Sequence, residues 1–424
     1  MDFLAGKVLG GTSAVNGMVY GEGHPGDYPV PAEDVQAALE ALGQPRLRRP
    51  HGLQRLPPVF RAIVDAFELA RVPWLGTRGD FPIVNGVGFV ARWAQRWSAY
   101  DQALGPQRNV SHLAGRTSGG GSIAVLTHTR VRRLLFGRGS RGQWPGIEAV
   151  EVVLDSNVTW QLPTPRLVLA AGAIGTPALL MASGVQRHCN ATVGFDLQDH
   201  IGFRTLFSLK ASCDDPDPHS EGAWTRSLVK GKGADIDLVA YLGKERPYAQ
   251  IVLSPQCGIV GGERRLAFGV DVILLRGVTR GRIHQAELGA PGSGHDKRTR
   301  LEFPVAQQDV EALMRVFIFM RTQVFGSPAL AKYPAEPHPI GRFPAADDHE
   351  GLYHHIMPRL QNFYHMAGTM HGAIDRRLRL PGCRGLRVAD GSAFASPVVG
   401  HPDVPTRALG WLAARYLLED EGLL

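Results

Sequence analysis

In the middle of the chain the sequence reads Arg166-Leu167-Val168-Leu169-Ala170-Ala171-Gly172-Ala173-Ile174-Gly175-Thr176-Pro177. The apolar residues at its start predict a short strand, and the small residues that follow predict a tight turn. Residues 178–184 then predict a helix that ends at Gly184, because glycine is common just after a helix C-terminus. A strand, a glycine-rich turn and a helix N-terminus together form a site for an anion. The run therefore predicts a strand–turn–helix unit of an α/β fold.

The composition is that of a globular protein with many turns. The 424 residues exceed what one ordinary core holds, so we expect two domains, which can be interleaved along the chain. Apolar residues make up 44% and charged residues 20%, while 51 glycines and 30 prolines indicate turns between short elements. The formal net charge of +7 is spread in small arginine clusters without a nucleic-acid-binding module, so we expect no nucleic-acid partner.

The cysteines and the apolar runs say little about the compartment. Four cysteines are scattered without C-x-x-C spacing, so the sequence predicts neither a metal knuckle nor a disulfide framework. No apolar run approaches the roughly 20 residues that span a bilayer, and residues 1–7 lack the features of a signal peptide. We therefore expect a soluble chain of unknown compartment without a membrane span, with secretion open if the true N-terminus lies upstream.

Hydrophobic periodicity predicts the elements of the first half of the chain. Residues 32–42 and 59–69 have the spacing of helices, which we interpret as surface helices over a connecting segment. Residues 94–104 also have a helical pattern. Residues 122–136 are typical of consecutive strands, and residues 146–154 add a further strand. The strands predict a small antiparallel layer.

The second half of the chain predicts a cap and a closing strand–helix pair. Residues 205–345 alternate short apolar segments and contain one long helix near residues 305–324, a pattern that predicts an α+β cap. Residues 386–390 predict a strand and residues 404–419 a helix. Pro405 lies at the start of that helix, where its missing N–H costs nothing.

Glycine-rich and histidine-containing blocks lie near both ends of the chain. The first block is Gly6-Lys7-Val8-Leu9-Gly10-Gly11-Thr12-Ser13-Ala14-Val15-Asn16-Gly17-Met18-Val19-Tyr20. Towards the C-terminus lie Tyr364-His365-Met366-Ala367-Gly368-Thr369, an Asp390-bearing turn at residues 385–392, and Gly400-His401-Pro402-Asp403-Val404-Pro405-Thr406. In this order, and with the middle run, the blocks resemble the glucose-methanol-choline (GMC) oxidoreductases, a family of flavoenzymes that oxidise alcohols.

The resemblance implies an α/β FAD-binding Rossmann-like domain interleaved with an α+β substrate domain that contains an antiparallel sheet. We assign residues 1–30, 120–204 and 366–424 to the FAD-binding domain. Residues 31–119 form a connecting segment, and residues 205–365 form the substrate-binding cap. The family's G-x-G-x-x-G motif is not found in the chain, so we expect an N-terminally shortened, incomplete domain that lacks the first βαβ unit.

The resemblance also implies a cofactor, non-covalent FAD, and the residues that bind it. Backbone N–H groups of a glycine-rich loop can approach a pyrophosphate closely. Asn16 matches the family's asparagine at the isoalloxazine edge, and Val131 matches a strand residue beside the adenine. Val15 lies where some family members carry a flavin-linking histidine, so we expect no covalent link. The implied cofactor-binding residues are Gly10, Gly11, Thr12, Ser13, Asn16, Val131, Ala171, Asp390, Pro402 and Thr406.

Two histidines match the family's catalytic positions. Oxidation of an alcohol needs a base for the hydroxyl proton while hydride leaves the carbon, and a neutral imidazole suits this near pH 7. The resemblance implies that His365 is the base and that His401 hydrogen-bonds the substrate oxygen. Two histidines so close cannot both be charged at low cost, so at least one should have a low pKa. Residues 196–200 resemble a further family block, which we interpret as structural.

The expected substrate is a small-molecule alcohol, and the expected electron acceptor is oxygen or a quinone-type compound. Two alternatives stay open: a non-redox lyase or cyclase on the same scaffold, and an inactive, N-terminally truncated paralogue. A metal site is a weak hypothesis, because the histidines of the second half match no zinc-binding spacing. We therefore predict no metal.

Overall fold

The computed structural model describes residues 3–8, 11–43, 58–77, 85–90, 114–116, 122–137, 146–155, 158–185, 192–212, 237–260, 263–286, 298–337 and 343–424. Within these residues the α-helices are α1 (Ala32–Leu42), α2 (Pro58–Leu69), α3 (Gly172–Ala182), α4 (Gln307–Phe319), α5 (His349–Ile356) and α6 (Asp403–Asp420). The strands are β1 (Trp74–Thr77), β2 (Gly86–Phe89), β3 (Ala114–Arg116), β4 (Ser122–Ala124), β5 (Thr129–Phe136), β6 (Ile147–Leu154), β7 (Thr159–Pro163), β8 (Leu167–Leu169), β9 (Phe195–Leu197), β10 (Ile201–Ser212), β11 (Leu238–Leu242), β12 (Ala249–Val260), β13 (Glu263–Leu274), β14 (Gly281–Ala286), β15 (Arg298–Glu302), β16 (Ala335–Pro337), β17 (Leu360–Asn362) and β18 (Leu386–Val388).

One large sheet combines two N-terminal strands, β1 and β2, with six strands that lie between residues 201 and 362. Its strands run in the order β1-β2-β11-β12-β13-β10-β16, and β17 also pairs with β10. Apart from the parallel pair β1–β2, the pairings are antiparallel. The long hairpin of β12 and β13 has Ala249 opposite Leu274 and Val260 opposite Glu263. Helices α2, α4 and α5 pack on this sheet in a first hydrophobic core. An antiparallel sheet is thus present where the sequence predicts the cap.

Helix α1 has the predicted bounds and α2 begins one residue earlier than predicted, but the two helices have different surroundings. Helix α1 buries only Val35 and Ala38 and is a surface helix, as expected. Helix α2 is not, because Phe60, Ile63 and Phe67 are all fully buried in the first core. The prediction of a surface helix is wrong for α2, since periodicity shows that a helix has an apolar face but not how much protein covers it.

A second hydrophobic core holds the elements of the middle and the end of the chain. Strands β8 and β18 pair in parallel, and α1, α3 and α6 contribute side chains to the same core. Strands β5 and β6 form the predicted antiparallel layer, which β7 extends as a third strand that the sequence does not predict. Strand β4, which the sequence places with β5, instead pairs with β3 in a separate two-stranded sheet. The helix expected at residues 94–104 lies outside the described residues.

The proposed connecting segment contributes to both hydrophobic cores. Helix α1 contributes to the second core and α2 to the first, so the described parts of residues 31–119 pack with both bodies. The boundaries of the FAD-binding and cap domains stay a prediction. Among the described residues, no helix is long and apolar enough to cross a membrane.

The structure contains a disulfide that the sequence does not predict. Cys257 on β12 is disulfide-bonded, whereas Cys383 is buried and is not part of a disulfide. The scattered spacing gave no reason to expect a disulfide, because such a bond depends on which segments meet in the fold.

Helix α3 begins six residues earlier than the sequence indicates, and Pro177 lies inside it. A proline within a helix has no N–H to donate to the carbonyl four residues before it, which here is Ala173. The hydroxyl of Thr369 donates to this carbonyl oxygen at 2.6 Å, and Thr369 is fully buried. A side chain from a distant block thus satisfies the acceptor that Pro177 leaves open, and the helix continues through the proline.

We expect Thr369→Val to lower the free energy of unfolding by about 1–3 kcal/mol, because it leaves the Ala173 carbonyl buried without a donor. The double variant Pro177→Ala/Thr369→Val should recover part of this loss, since an alanine in place of the proline would supply the missing N–H. Chemical denaturation of the single and double variants measures both effects. If the double variant is as unstable as Thr369→Val alone, the carbonyl is not the source of the loss.

Candidate active site

The parallel strands β8 and β18 end at the same edge, and Asp390 joins the two turns that follow them. One carboxylate oxygen of Asp390 accepts hydrogen bonds from the Gly172 N–H at 3.0 Å and the Thr176 hydroxyl at 2.5 Å. The other oxygen accepts from the backbone N–H and the hydroxyl of Ser392 at 2.9 and 2.5 Å. Four donors thus satisfy the buried carboxylate, which fixes the start of α3 against the turn after β18.

Space is open in front of this edge. Gly172 has a φ of +82°, and no atom lies within 4 Å of the position where a Cβ would stand. Ala171 is exposed, and its N–H donates to the Thr176 hydroxyl at 3.1 Å. Ligands of α/β folds bind at the carboxyl ends of parallel strands, where small residues let backbone approach them closely. Ala171 and Asp390, both predicted from the sequence, lie together at this edge.

The opening block forms a compact turn. Residues Gly11–Ala14 are a 3₁₀-helix that contains Thr12 and Ser13, and Gly11 has a φ of +58°. The hydroxyl of Thr12 accepts a hydrogen bond from the Gly6 N–H at 3.1 Å, so this side chain closes its own loop. Gly10 lies outside the described residues.

The side chain of Asn16 connects this block to α6. Its amide nitrogen donates to Asp403 at 3.1 Å, and its amide oxygen accepts from the Met18 N–H at 3.0 Å. Pro402 precedes α6, and its carbonyl accepts from the Thr406 N–H at 2.9 Å, as in a regular first helical turn. The structure therefore brings Asn16, Pro402 and Thr406 to the N-terminal end of one helix.

Val131 lies on β5 with 40% of its surface exposed. The strand is fixed to the far end of α3, because the Leu134 N–H donates to the Ser183 hydroxyl at 2.8 Å. The proposed place of Val131 beside an adenine stays a prediction.

Three histidine rings lie close together. The rings of His365 and His401 are 4.9 Å apart between centroids and nearly perpendicular, at 80°. Nδ1 of His365 lies 2.9 Å from Nδ1 of His200, with the ring centroids 5.0 Å apart. His200 is completely buried, whereas His365 and His401 keep part of their surface exposed. The sequence pairs His365 with His401, and the structure brings them together.

His200 is the residue of this group of three histidines that sequence reasoning missed. We interpret residues 196–200 as a structural block, and nothing in the local sequence places His200 beside a residue 165 positions later. The only available signal is that the block ends in a histidine. Its contact with His365 depends on the pairing of β10 with β17, which leads directly into the histidine block.

Burial keeps His365 and His200 neutral. Desolvation, with smaller effects of His401 and His200, holds the pKa of His365 well below its usual value of 6.5. Burial and then His401 lower the pKa of His200 to about 3, while the Leu275 backbone acts in the opposite direction. Both rings are therefore uncharged at pH 7, in agreement with the expectation that at least one histidine has a low pKa.

The backbone at His365 is held in an unusual conformation. Tyr364 has a φ of +61°, a value that non-glycine residues rarely adopt and that costs on the order of 1–3 kcal/mol. Asp199 stabilises this turn, because its carboxylate accepts a hydrogen bond from the His365 N–H at 2.8 Å. Burial raises the pKa of Asp199 to about 7, against the backbone hydrogen bonds of His365, His200 and Tyr364, which lower it.

We expect Asp199→Asn to gain stability relative to the wild type as the pH rises. A carboxyl whose folded pKa is about 7 and whose ordinary value is 3.8 stabilises the fold fully below 3.8, and this contribution is lost as the pH rises through 7. Asparagine keeps the acceptor for the His365 N–H but does not titrate. The difference in unfolding free energy, variant minus wild type, should therefore rise by about 2 kcal/mol between pH 5 and pH 8.

Denaturant unfolding at the two pH values measures this difference. Asp347→Asn, at an exposed carboxylate, is the matched control and should give the same difference at both pH values. A constant difference for Asp199→Asn as well would show that this carboxyl does not titrate in the interval.

The side chain of Asp27 connects the loop that carries His401 to two other segments through hydrogen bonds and an ion pair. One oxygen of its fully buried carboxylate accepts from the His24 and Val399 N–H groups, both at 2.8 Å. The other oxygen pairs with Arg246 in the turn between β11 and β12. Because Val399 lies two residues before His401, this buried ion pair fixes the position of that histidine relative to the large sheet.

Arg246→Met should lower the free energy of unfolding by about 3–5 kcal/mol, because it leaves the buried Asp27 carboxylate without its counter-charge. Adding Asp27→Asn removes the unpaired charge, so the double variant should be more stable than Arg246→Met. Equilibrium denaturation of the three proteins provides the comparison. An Arg246→Met protein of wild-type stability would contradict the structural role of this pair.

Among the residues that the structure describes, no group of three His, Cys, Asp or Glu side chains gathers in a way that could hold a metal ion. That the whole chain binds no metal stays a prediction.

Solved structures share this fold. A formate oxidase superposes with a TM-score of 0.73 at 17% identity, covering 99% of this chain and 85% of that one. Pyridoxine 4-oxidase from Mesorbium loti gives a TM-score of 0.69 at 19% identity, covering 97% and 84%. A further structure, of Aspergillus oryzae formate oxidase, concerns FAD modification in that enzyme and gives a TM-score of 0.74 at 16% identity. The fold is thus that of a class of oxidases.

Sequence comparison identifies the family. Two GMC oxidoreductase models match residues 111–202 and 279–410, which together are just over half of the chain. An alcohol dehydrogenase [acceptor] from Pseudomonas putida is 25% identical over 483 residues, covering 97% of this chain and 82% of the relative. An oxygen-dependent choline dehydrogenase from Rhizobium etli is 25% identical over 471 residues, covering 99% and 82%. The chain belongs to the GMC oxidoreductase family and is an oxidoreductase.

Proposed function

We propose that the chain oxidises the CH–OH group of a small-molecule alcohol with non-covalently bound FAD, and that His365 is the base. The observation that carries the proposal is the pair of imidazoles at His365 and His401, whose ring centroids are 4.9 Å apart and which both belong to partly exposed residues. Neutral imidazole can accept a proton, and both positions match the two catalytic positions of the family. The dehydrogenases among the relatives act on alcohol and choline, which supports a CH–OH donor.

The residues at the edge of β8 and β18 fit a dinucleotide. Gly172 in a left-handed conformation, with open space in place of a Cβ, lets a ligand approach the start of α3. Asp390 acts indirectly in this proposal, because its four hydrogen bonds already fill the carboxylate and hold the turn. The residues that would hold FAD are Gly10, Gly11, Thr12, Ser13, Asn16, Val131, Ala171, Asp390, Pro402 and Thr406.

Bound FAD supplies the acceptor for a hydride. Val15, at the position of the linking histidine in some relatives, is 62% exposed and has no group that could form a covalent link. In the proposed reaction the C–H bond of the carbinol breaks with its electron pair leaving as hydride, and His365 takes the hydroxyl proton. The substrate becomes the carbonyl compound. His401 hydrogen-bonds the substrate oxygen and orients it towards His365.

The neutrality of His365 supports its role as the base. A histidine that is already protonated cannot accept the hydroxyl proton, and burial keeps the pKa of His365 well below 6.5. We place the substrate against the cap, residues 205–365, and we propose oxygen or a quinone-type compound as the electron acceptor that completes the cycle.

The proposal is tested by the absorption of the purified protein after incubation with FAD and desalting. Retained flavin bands that bleach on anaerobic mixing with an alcohol panel are the expected result. His365→Asn should keep the flavin and slow bleaching by about 10²–10⁴-fold, the usual contribution of a general base. The matched control is His371→Asn, an exposed histidine of the same segment, which should bleach like the wild type.

Three outcomes contradict the proposal. Turnover without bleaching would indicate the lyase or cyclase alternative, and a colourless protein would indicate the inactive paralogue. Unchanged bleaching in His365→Asn would exclude this residue as the base while leaving the flavin assignment intact.

A further inference from the structure

The side chain of Asn16 makes a protein hydrogen bond at each end of its amide. The amide oxygen accepts from the Met18 N–H at 3.0 Å, a bond that stabilises a tight turn. Met18 has a φ of +58°, a left-handed value that residues other than glycine rarely adopt. The amide nitrogen donates to Asp403, 387 positions later, at 3.1 Å. Asn16 therefore holds the turn of its own loop and also contacts the first residue of α6.

Asp403 is held by a second partner on its own helix. Arg407, one helical turn later, donates from Nε and Nη2 to the two carboxylate oxygens, at 2.9 and 3.2 Å. The side chains of this ion pair are only 8% and 12% exposed, for Arg407 and Asp403 respectively. Such a two-point contact fixes the direction of the carboxylate, and the N-terminus of α6 favours its negative charge. The acceptor for Asn16 thus has a position that is set by α6.

Apolar packing accompanies this hydrogen bond. Val404, the second residue of α6, and Tyr20, in the segment that follows Asn16, are 5% and 6% exposed and form a small buried cluster. Met18, at the turn that Asn16 holds, packs against the same cluster. The glycine-rich loop and the first turn of α6 are therefore joined by a hydrogen bond and by buried apolar contacts.

His401 lies between two such links. Two residues before it, the Val399 N–H donates to the buried carboxylate of Asp27 at 2.8 Å. Two residues after it, the carboxylate of Asp403 accepts from the glycine-rich loop. The short segment is thus held at both ends, with the ring of His401 at its centre and 4.9 Å from the ring of His365. Loss of either link would leave this ring free to shift.

We propose that Asn16 is a positioning residue that fixes His401 through the ion pair at the start of α6. The contribution of His401 to turnover rests on the proposed function, whereas its position in the fold does not. In this role Asn16 serves the flavin site in the way that Asp390 does, by holding a turn. Two parts of the proposed site that are far apart in the sequence are then coupled through one side chain.

The test exchanges the two polar groups. Asn16→Asp places a carboxylate against that of Asp403 but keeps the acceptor for the Met18 N–H, so it breaks the link to α6 and not the turn. Adding Asp403→Asn again sets an amide against a carboxylate, with the donor now on α6, so the double variant should recover most of the link. Gln36→Glu is the matched control, because it sets a carboxylate against that of Glu40 on the exposed surface of α1.

The first readout is the ring-proton NMR signal of His401 in histidine-labelled protein without added flavin, assigned by its absence in His401→Ala. The nearly perpendicular ring of His365 makes this signal sensitive to small displacements. We expect a shifted signal in Asn16→Asp, and a signal near that of the wild type in the double variant and in Gln36→Glu. If Asn16→Asp does not fold, Asn16→Ser takes its place, because serine can hold the turn but is too short to reach α6. An unmoved signal in the folded single variant would overturn the inference.

The second readout is the rate constant of anaerobic bleaching in the flavin-loaded protein. Asn16→Asp should lower it on the order of 10²-fold, as expected for a misplaced catalytic group, and the double variant should recover most of the loss. In a His401→Ala background the same substitution should have little further effect, because its effect passes through that ring. An equal loss in both backgrounds would contradict the proposal. The NMR result needs neither flavin nor substrate, so it can fail or succeed independently of the proposed alcohol oxidation.

Discussion

The parallel pairing of β8 with β18 is the constraint on which the arrangement of the site depends. It brings the start of α3 to the turn that carries Asp390, 218 residues later in the sequence. The buried carboxylate of Asp390 then fixes both turns with four hydrogen bonds, so the edge is rigid on both sides. A buried charge is tolerated here because every lone pair is used. Without β8 and the start of α3, the carboxylate would lose two of its four donors, Gly172 and Thr176.

The histidine block shows how several requirements meet in six residues. Tyr364 turns the chain through a left-handed conformation, His365 presents its ring, and Thr369 donates to the carbonyl that Pro177 leaves without a partner. Residue 367 of the same block forms an isolated bridge with residue 198, which joins the block to the start of the large sheet. Substitutions in this block therefore affect the second core and the site together.

Much of the fold could be predicted from local patterns, and most of the site's environment could not. The bounds of α1 and the antiparallel layer of β5 and β6 follow from periodicity. The early start of α3 could not be predicted, because the donor that permits Pro177 within the helix is Thr369, on a different segment. The burial of α2 could not be predicted either. Its apolar residues define one face of the helix but do not show that a sheet and other helices cover it.

The same reasoning applies within the site. Short blocks identify His365 and His401 by resemblance, because each carries its own flanking sequence. The roles of Asp199 and His200 depend on distances across the fold, and neither residue has a local pattern that distinguishes a contact with His365 from an ordinary buried position. Asp27 is a similar case, because its link to Val399 joins residues 372 positions apart.

The electrostatics of the site follow from where each polar group touches His365. Burial alone disfavours charge on every group, and it lowers the pKa of the imidazoles while raising that of Asp199. If the carboxyl met the ring, its negative charge would favour protonated His365, which could not act as the proposed base. It meets the backbone N–H instead, where it stabilises the turn after Tyr364 and leaves the ring to a neutral partner. The carboxyl thus contacts the backbone and an imidazole contacts the ring. This arrangement allows the segment to be strained at Tyr364 while the ring of His365 stays uncharged.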